Sequence, residues 1–399
     1  MHHDFFTYLC QTSPEPLGLE IEAAEGIYLF TKDGRRYIDF ISGIGVANIG
    51  HGHPAVRAAI EQQLAKHLHV MVYGEYVQEA QVRYAKRLSE LAPIDAGVVF
   101  FCNSGAEAIE GALKTARKFT GRTKYIAFEG GYHGDTFGAL SAMSSAYYRR
   151  PFEPLLAEFE FLPFDDLAAL ARIDDTVAAV LFEPVQGEAG VRVPAQNFLA
   201  ALRARCDATG ALLIADEVMT GLGRTGKLFA CEHWHLRPDL MCLAKALGGG
   251  LPLGAFLGRR EIMQTLSQNP PLAHVTTFGG HPLSCAAGLA ALEVLFEEKM
   301  LERSAANGEH FLLQLRRELR GHEAVKEIRG LGSFFAIEFY EEHATQRFVQ
   351  NCRAAGLIIG WTLHRTTVVR AAPPLCMRAE EVQNAVAIMV AAAQAVIST

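Results

Sequence analysis

The sequence predicts an α/β fold, with a mostly parallel central sheet in a large domain and a smaller α+β domain beside it. Continuous apolar, β-rich runs (GVVFFC, KYIAF, TVAAVLF, ALLIA) alternate with helix-patterned segments, as strands covered on both faces do. The chain of 399 residues also exceeds one ordinary core, at roughly 100–200 residues per domain. From about Glu323 the alternation gives way to short strands and flanking helices. The expected division is an N-terminal segment, 1–50, packing with the small domain; a large domain, 51–298; and the small domain, 299–399.

Composition narrows the function. The formal net charge of -7 argues against a nucleic-acid surface, which needs clustered Lys and Arg. No apolar stretch reaches the length of about 18 residues that a membrane span needs, and MHHDFFTYLC lacks the pattern of a secretory signal. The eight cysteines, scattered from Cys10 to Cys376 with no C-x-x-C pair, read as reduced thiols of a cytoplasmic protein rather than disulfides or a metal site.

Taken in order, residues 20–50 read as short strands with a hairpin turn at Asp33-Gly34. Pro54 opens a helix to about His69, and a second helix runs from Glu75 to Leu91. Between them Tyr73, in HLHVMVYGE, is too exposed by context to read as core and is a candidate substrate contact. GVVFFCNSGAEAIEGALKTARKF is a buried strand, a sharp turn and a helix. Then come KYIAFEG, a glycine-rich turn (GYHGDTFG), a proline-rich connection, TVAAVLFEP, a helix from about Ala195 to Thr209 and ALLIADE. Two helices follow Gly280; VKEIRG, SFFAIEFY, LIIGW and TVVRAAP are strands of the small domain, and a last helix starts at Ala379. Ligands of such sheets bind at the carboxyl ends of the strands, where the unusual polar groups of this chain gather.

Lys245 is the first of these. Its flanks, MCLA and ALGGGLPLGAFLG, offer no polar face, and burial lowers an amine's pKa enough to let it attack a carbonyl and form a Schiff base. The glycines at 248–250 would let backbone approach a ligand closely. Asp216, delivered by ALLIA to a strand end, could instead cap a turn; opposite a pyridine nitrogen it would keep that nitrogen protonated. Ser104-Gly105-Ala106 opens a helix whose unpaired N–H groups suit a phosphate, although Ser104 also suits a cap. Tyr132 and His133 could stack on a ring or simply pack. Together these residues point to pyridoxal phosphate. GLGRTG, Gly221 to Gly226, mimics a dinucleotide or P-loop motif, but Leu228 follows Lys227 where Ser or Thr is required, and no convincing long helix begins there.

At this point a resemblance covers the chain almost end to end. DGRRYIDFISGIGV, GHGHP, FCNSGAEAIEGALKTARK, GYHGDTFGAL, EPVQGEAGV, LLIADEVMTGLGRTG, LAKALGGGLPLGA, TTFGGHPLSCAAGLAAL and VVRAAPPL resemble the blocks of class III (ω-amino acid) aminotransferases, which are fold-type I pyridoxal 5'-phosphate enzymes. The resemblance implies Lys245 as the Schiff-base lysine and Asp216 as the pyridine-nitrogen partner. Val218 and Tyr132 would pack on opposite ring faces. Ser104, Gly105 and Ala106 would bind the phosphate, with Thr277 contributing across a homodimer interface; His133 and Glu183 are grouped with these cofactor contacts. Arg370 and Glu188 would form a switch, the arginine binding a substrate carboxylate and the glutamate pairing with it otherwise. The implied substrates are an amino donor and a 2-oxo acid.

Three positions depart from the family pattern. Met219 stands where a glutamine usually follows D-E-V. Asp135 replaces the arginine of acetylornithine- and ornithine-type members, removing a cation for a second carboxylate and favouring an amine there. His281 replaces the asparagine of T-F-G-G-N-P, with no consequence derivable from sequence. An aminomutase or decarboxylating transaminase of the same family, and a nucleotide-binding protein using GLGRTGK, are the alternatives.

Overall fold

The computed structural model describes residues 2–72 and 74–396. Its centre is a seven-stranded sheet in the order Gly97–Cys102, Gly254–Arg259, Leu240–Leu243, Leu212–Asp216, Val177–Phe182, Lys124–Phe128, Phe159–Leu162. Six of these strands run in one direction, and Gly254–Arg259 is antiparallel to both of its neighbours. Val177–Phe182 and Leu212–Asp216 are buried at every position, which explains their continuous apolar sequence.

Sequence periodicity missed three of these strands. Phe159–Leu162 lies inside the proline-rich connection, and Leu240–Leu243 and Gly254–Arg259 flank the lysine segment. The first two have only four residues, too few to show a period. The helix opened by Pro54 ends at Leu64, and the next begins at Glu79 rather than Glu75. A short N-terminal helix, His2–Tyr8, was also not foreseen.

Two further sheets lie beyond the central one. Ile21–Glu25, Tyr28–Thr31 and Arg36–Asp39 form an antiparallel run that pairs, in parallel, with Leu357–Ile358. The other is ordered Val325–Leu331, Phe334–Phe339, Val368–Ala371, Gly360–Trp361. Ile27, Ile38 and Phe40 share one apolar core with Phe311, Phe335, Phe348 and Met389, so the N-terminal strands pack with the C-terminal portion of the chain.

Helix starts follow local chemistry. Ser104 caps the helix Gly105–Thr120 by accepting from Glu107 N (3.2 Å), and Gly121, in the left-handed region, ends it. Both His-Pro pairs begin helices in one way: His53 Nδ1 accepts from Ala55 N (3.3 Å) and His281 Nδ1 from Leu283 N (3.3 Å), each ahead of proline in the first turn. His281 is thus the N-cap of Pro282–Glu297, the consequence that sequence alone left open.

Candidate active site

The carboxyl ends of the central strands open into a cavity of about 630 Å³, lined by Ser104, Gly105, Ala106, Tyr132, His133, Asp135, Glu183, Glu188, Asp216, Val218, Lys245 and Arg370, among others. Segments more than 260 residues apart in sequence meet there, as expected where strand ends gather a ligand.

Lys245 follows the strand Leu240–Leu243 and opens a single 3-10 turn, Lys245–Gly248. Its φ of 50° is in the left-handed region, which costs a side-chain-bearing residue about 1–2 kcal/mol and is tolerated where the surrounding fold fixes it. The lysine is ringed by protein with part of its surface on the cavity, and burial lowers its pKa against the opposing pull of Asp216. A larger fraction of the amine is therefore neutral, the form that attacks carbonyl carbon.

The glycines after Lys245 serve a different purpose from the one expected. A Cβ on Gly249, whose φ is +59°, would sit 2.7 Å from Ala287 O, and one on Gly248 would crowd Leu253 Cβ at 3.2 Å. These two let the lysine turn pack against the helix Pro282–Glu297 and close on itself. Gly250 alone reaches the cavity.

Asp216 ends its strand with 4% of its surface exposed. Oδ1 accepts from Val218 N (3.0 Å), and Oδ2 shares a 2.7 Å hydrogen bond with His133 Nδ1. His133, which also lines the cavity, is buried, and its bond orients Asp216. Glu183 accepts from Tyr132 N (3.0 Å) and Gly187 N (2.9 Å), so it fixes the cavity wall on both sides, and burial pushes its carboxyl up to about 7. The Tyr132 hydroxyl donates to Asp135 Oδ2 (2.8 Å).

Arg370, on Val368–Ala371, pairs with Glu188. The second glutamate oxygen accepts from Leu363 N (2.9 Å). Both members of the pair keep 12% of their side-chain surface exposed, leaving the guanidinium reachable from the cavity.

Met219 lines the same space, 8% exposed, among Val185, Val191 and Phe334. A Cβ on Gly45 would fall 2.8 Å from its Sδ, so the thioether fills the corner between residues 42–45 and the lysine. Sequence reasoning did not single out Val46, which also lines the cavity. The turn before Val46 is shaped by Asp39, whose Oδ1 accepts from Ile41 N and Ser42 N (both 2.9 Å). Its only sequence signal was the DFISGIGV block.

Thr277 is exposed and does not line the cavity of its own chain. Tyr73 lies outside the described residues. The GLGRTG stretch is a buried turn: Arg224 is fully buried and donates to Ser333 O (3.1 Å), Pro373 O and Asn48 Oδ1 (2.5 Å), leaving no open phosphate loop.

These features fit pyridoxal 5'-phosphate. The helix start at Gly105–Ala106 presents backbone N–H groups to the cavity. Gly105 leaves room there that a Cβ, 3.0 Å from Val218 Cγ1, would take up. An amine and an oriented carboxylate line the same cavity. A fold and a site of this kind define a pyridoxal-phosphate-dependent aminotransferase.

The chain belongs to the class III aminotransferases: the model of that family, Aminotransferase class-III, matches residues 10–393. It is 44% identical over 364 residues to an acetylornithine aminotransferase of Methanopyrus kandleri, covering 91% of each chain. It is 42% identical to a putrescine aminotransferase of Pectobacterium atrosepticum, covering 88% of this chain and 77% of that one. Among solved structures, the ornithine aminotransferase of Toxoplasma gondii superposes with a TM-score of 0.92 at 34% identity, covering 100% of this chain and 96% of that one. An (S)-enantioselective ω-transaminase from Thermomicrobium roseum gives 0.91 at 29%, covering 99% and 98%. The family depends on pyridoxal phosphate, and the cofactor of this chain is pyridoxal 5'-phosphate.

Proposed function

We propose that this aminotransferase moves a terminal amino group from an ω-amino acid or a diamine to a 2-oxo acid such as 2-oxoglutarate or pyruvate. The two substrates use one cavity in alternation. The observation that carries this reading is the Arg370–Glu188 pair lining the same cavity as Lys245 and Asp216. A carboxylate can displace Glu188 and take the bidentate arginine fork, while an amine end meets the neutralised pair instead.

Within the site Lys245 is the base and acid that moves a proton at the reacting carbon, its amine made available by burial. Asp216, fixed by His133 and Val218 N, holds a proton on the pyridine nitrogen. Ser104, Gly105 and Ala106 hold the phosphate, and Val218 and Tyr132 bound the ring. When bound, the cofactor supplies an electron sink for the carbanion formed on losing that proton.

Asp135 sets the donor preference. Its carboxylate lines the cavity and is oriented by the Tyr132 hydroxyl, a site suited to a distal ammonium rather than a second carboxylate. Neither Arg149, which lies over the Phe161 ring at 5.2 Å, nor Arg150 lines the cavity to replace the missing cation.

We place the cofactor residues on the large domain, 51–298, and Arg370 on the small one, and assign the protein to a cytoplasmic homodimer in which exposed Thr277 reaches the neighbouring subunit's site. Eight free cysteines favour a reducing compartment. Among the described residues no helix is long and apolar enough to cross a membrane. The test of the activity is a matrix of donors (acetylornithine, ornithine, 4-aminobutyrate, diamines, β-amino acids) against 2-oxoglutarate and pyruvate. Diamines or ω-amino acids should turn over with an added oxo acid; no net transfer, or release of carbon dioxide, would refute this activity.

A further inference from the structure

Arg370 and Glu188 are fixed unequally. Arg370 sits in the middle of a sheet, its residue paired with Ala336 on one side and Gly360 on the other, so the guanidinium is carried by rigid backbone. Glu188 has no strand beneath it. What holds it is the loop that joins Gly360–Trp361 to Val368–Ala371.

That loop grips Glu188 at two points. Leu363 N donates to Oε2 (2.9 Å), and His364 N donates to the Glu188 backbone oxygen (3.2 Å). Its other side is held by Tyr148, in the single helical turn Ala146–Arg149. The Tyr148 hydroxyl donates to Leu363 O (2.9 Å), and its ring meets the His364 ring edge-on at 5.6 Å. The Leu363 residue is therefore clamped through both backbone groups: its N–H by Glu188, its C=O by Tyr148. Within the loop, Thr362 Oγ1 donates to Arg365 O (2.8 Å) and closes it.

We propose that Tyr148 is a positioning residue for substrate selection, and that the Leu363 N–H it steadies is the pivot of the Glu188 switch. The proposal rests on the alternation of Glu188 and a substrate carboxylate at Arg370 described above. With Oε2 kept on Leu363 N, only the bond from Oε1 to Arg370 has to break when a carboxylate arrives, and the glutamate stays poised to return. Loss of the Tyr148 hydroxyl frees Leu363 O and loosens the pivot. Glu188 then spends less time on Arg370, carboxylates bind more tightly, and an amine substrate meets an unneutralised arginine. Tyr148 does not line the cavity, so its influence passes through the loop.

The experiment uses holoenzyme, with glutarate as the carboxylate probe, titrated by calorimetry and by the change in visible absorbance. It compares the parent with Tyr148→Phe, Glu188→Ala and the double variant. One lost hydrogen bond should tighten glutarate binding by about three- to tenfold in Tyr148→Phe. The KM of a diamine should rise by a similar factor, with kcat of both half-reactions unchanged. In the Glu188→Ala background, Tyr148→Phe should have no further effect on glutarate. An equal effect in both backgrounds, or a Tyr148→Phe that only lowers stability, would overturn the proposal. A Glu188→Ala enzyme with parental glutarate and diamine binding would instead refute the underlying switch, whatever Tyr148 does.

Discussion

His133 Nδ1 lies 2.7 Å from Asp216 Oδ2, with both side chains buried in the cavity wall. The bond fixes one carboxylate oxygen while the backbone N–H of Val218 fixes the other, so the aspartate is oriented before any ligand enters. Preorganisation of this kind contributes to catalysis because no reorientation is needed during reaction.

Removal of the histidine should therefore act on chemistry through Asp216. We predict that His133→Ala lowers kcat/KM by about 10- to 100-fold, the equivalent of a charge-assisted hydrogen bond, while Asp216→Asn costs more. Steady-state kinetics with cofactor titration checks this. A His133→Ala enzyme of parental efficiency would show that the bond is only packing.

Glu183 makes stability pH-dependent. Its carboxyl is raised from 4.5 to about 7, chiefly by burial, so the folded protein keeps a proton that the unfolded chain releases between those values. Stability of the cofactor-free protein should fall as pH rises from about 4.5 through about 7, by on the order of 3 kcal/mol from this group. Glu183→Gln should remove that part of the slope. Urea unfolding midpoints at pH 5 and pH 8 for both proteins would show it, and parallel pH profiles would contradict it.

Asp135 should govern the distal end of the donor. With Asp135→Asn, the KM of a diamine is predicted to rise by about tenfold through loss of charge complementarity, while that of an ω-amino acid changes little. Asp135→Arg should reverse the preference toward a second carboxylate. Unchanged diamine kinetics in both variants would remove Asp135 from recognition.

Arg224 links the glycine turn to the carbonyls of Ser333 and Pro373 and to Asn48. Burial draws its pKa down to about 9, so it remains a cation at neutral pH. Arg224→Met should destabilise the protein by on the order of 3 kcal/mol, by leaving buried acceptors unpaired. A parental denaturation midpoint would contradict this.

Much of the architecture was legible because the parallel strands carry their signal in continuous apolar runs: ALLIAD and TVAAVLF announce burial on both faces. Short strands such as Leu240–Leu243 and Phe159–Leu162 were hidden, since four residues cannot show a period. Lys245 stood out as a charge with no polar face around it. The partnership of His133 with Asp216 did not, because it joins residues 83 apart in sequence and rests on side-chain geometry alone. Val46 escaped for a related reason: an apolar residue facing a cavity looks in sequence like one facing a core. His281 became intelligible once its ring was seen capping a helix.

We propose that Lys245 is the amine that carries the cofactor. This is tested most directly by reducing the holoenzyme with borohydride and locating the modified peptide by mass spectrometry. One pyridoxyl-phosphate group per chain is expected on the peptide containing Lys245, and none on any peptide of a Lys245→Ala protein. A modification on a different lysine, or a Lys245→Ala enzyme that still turns over, would contradict it.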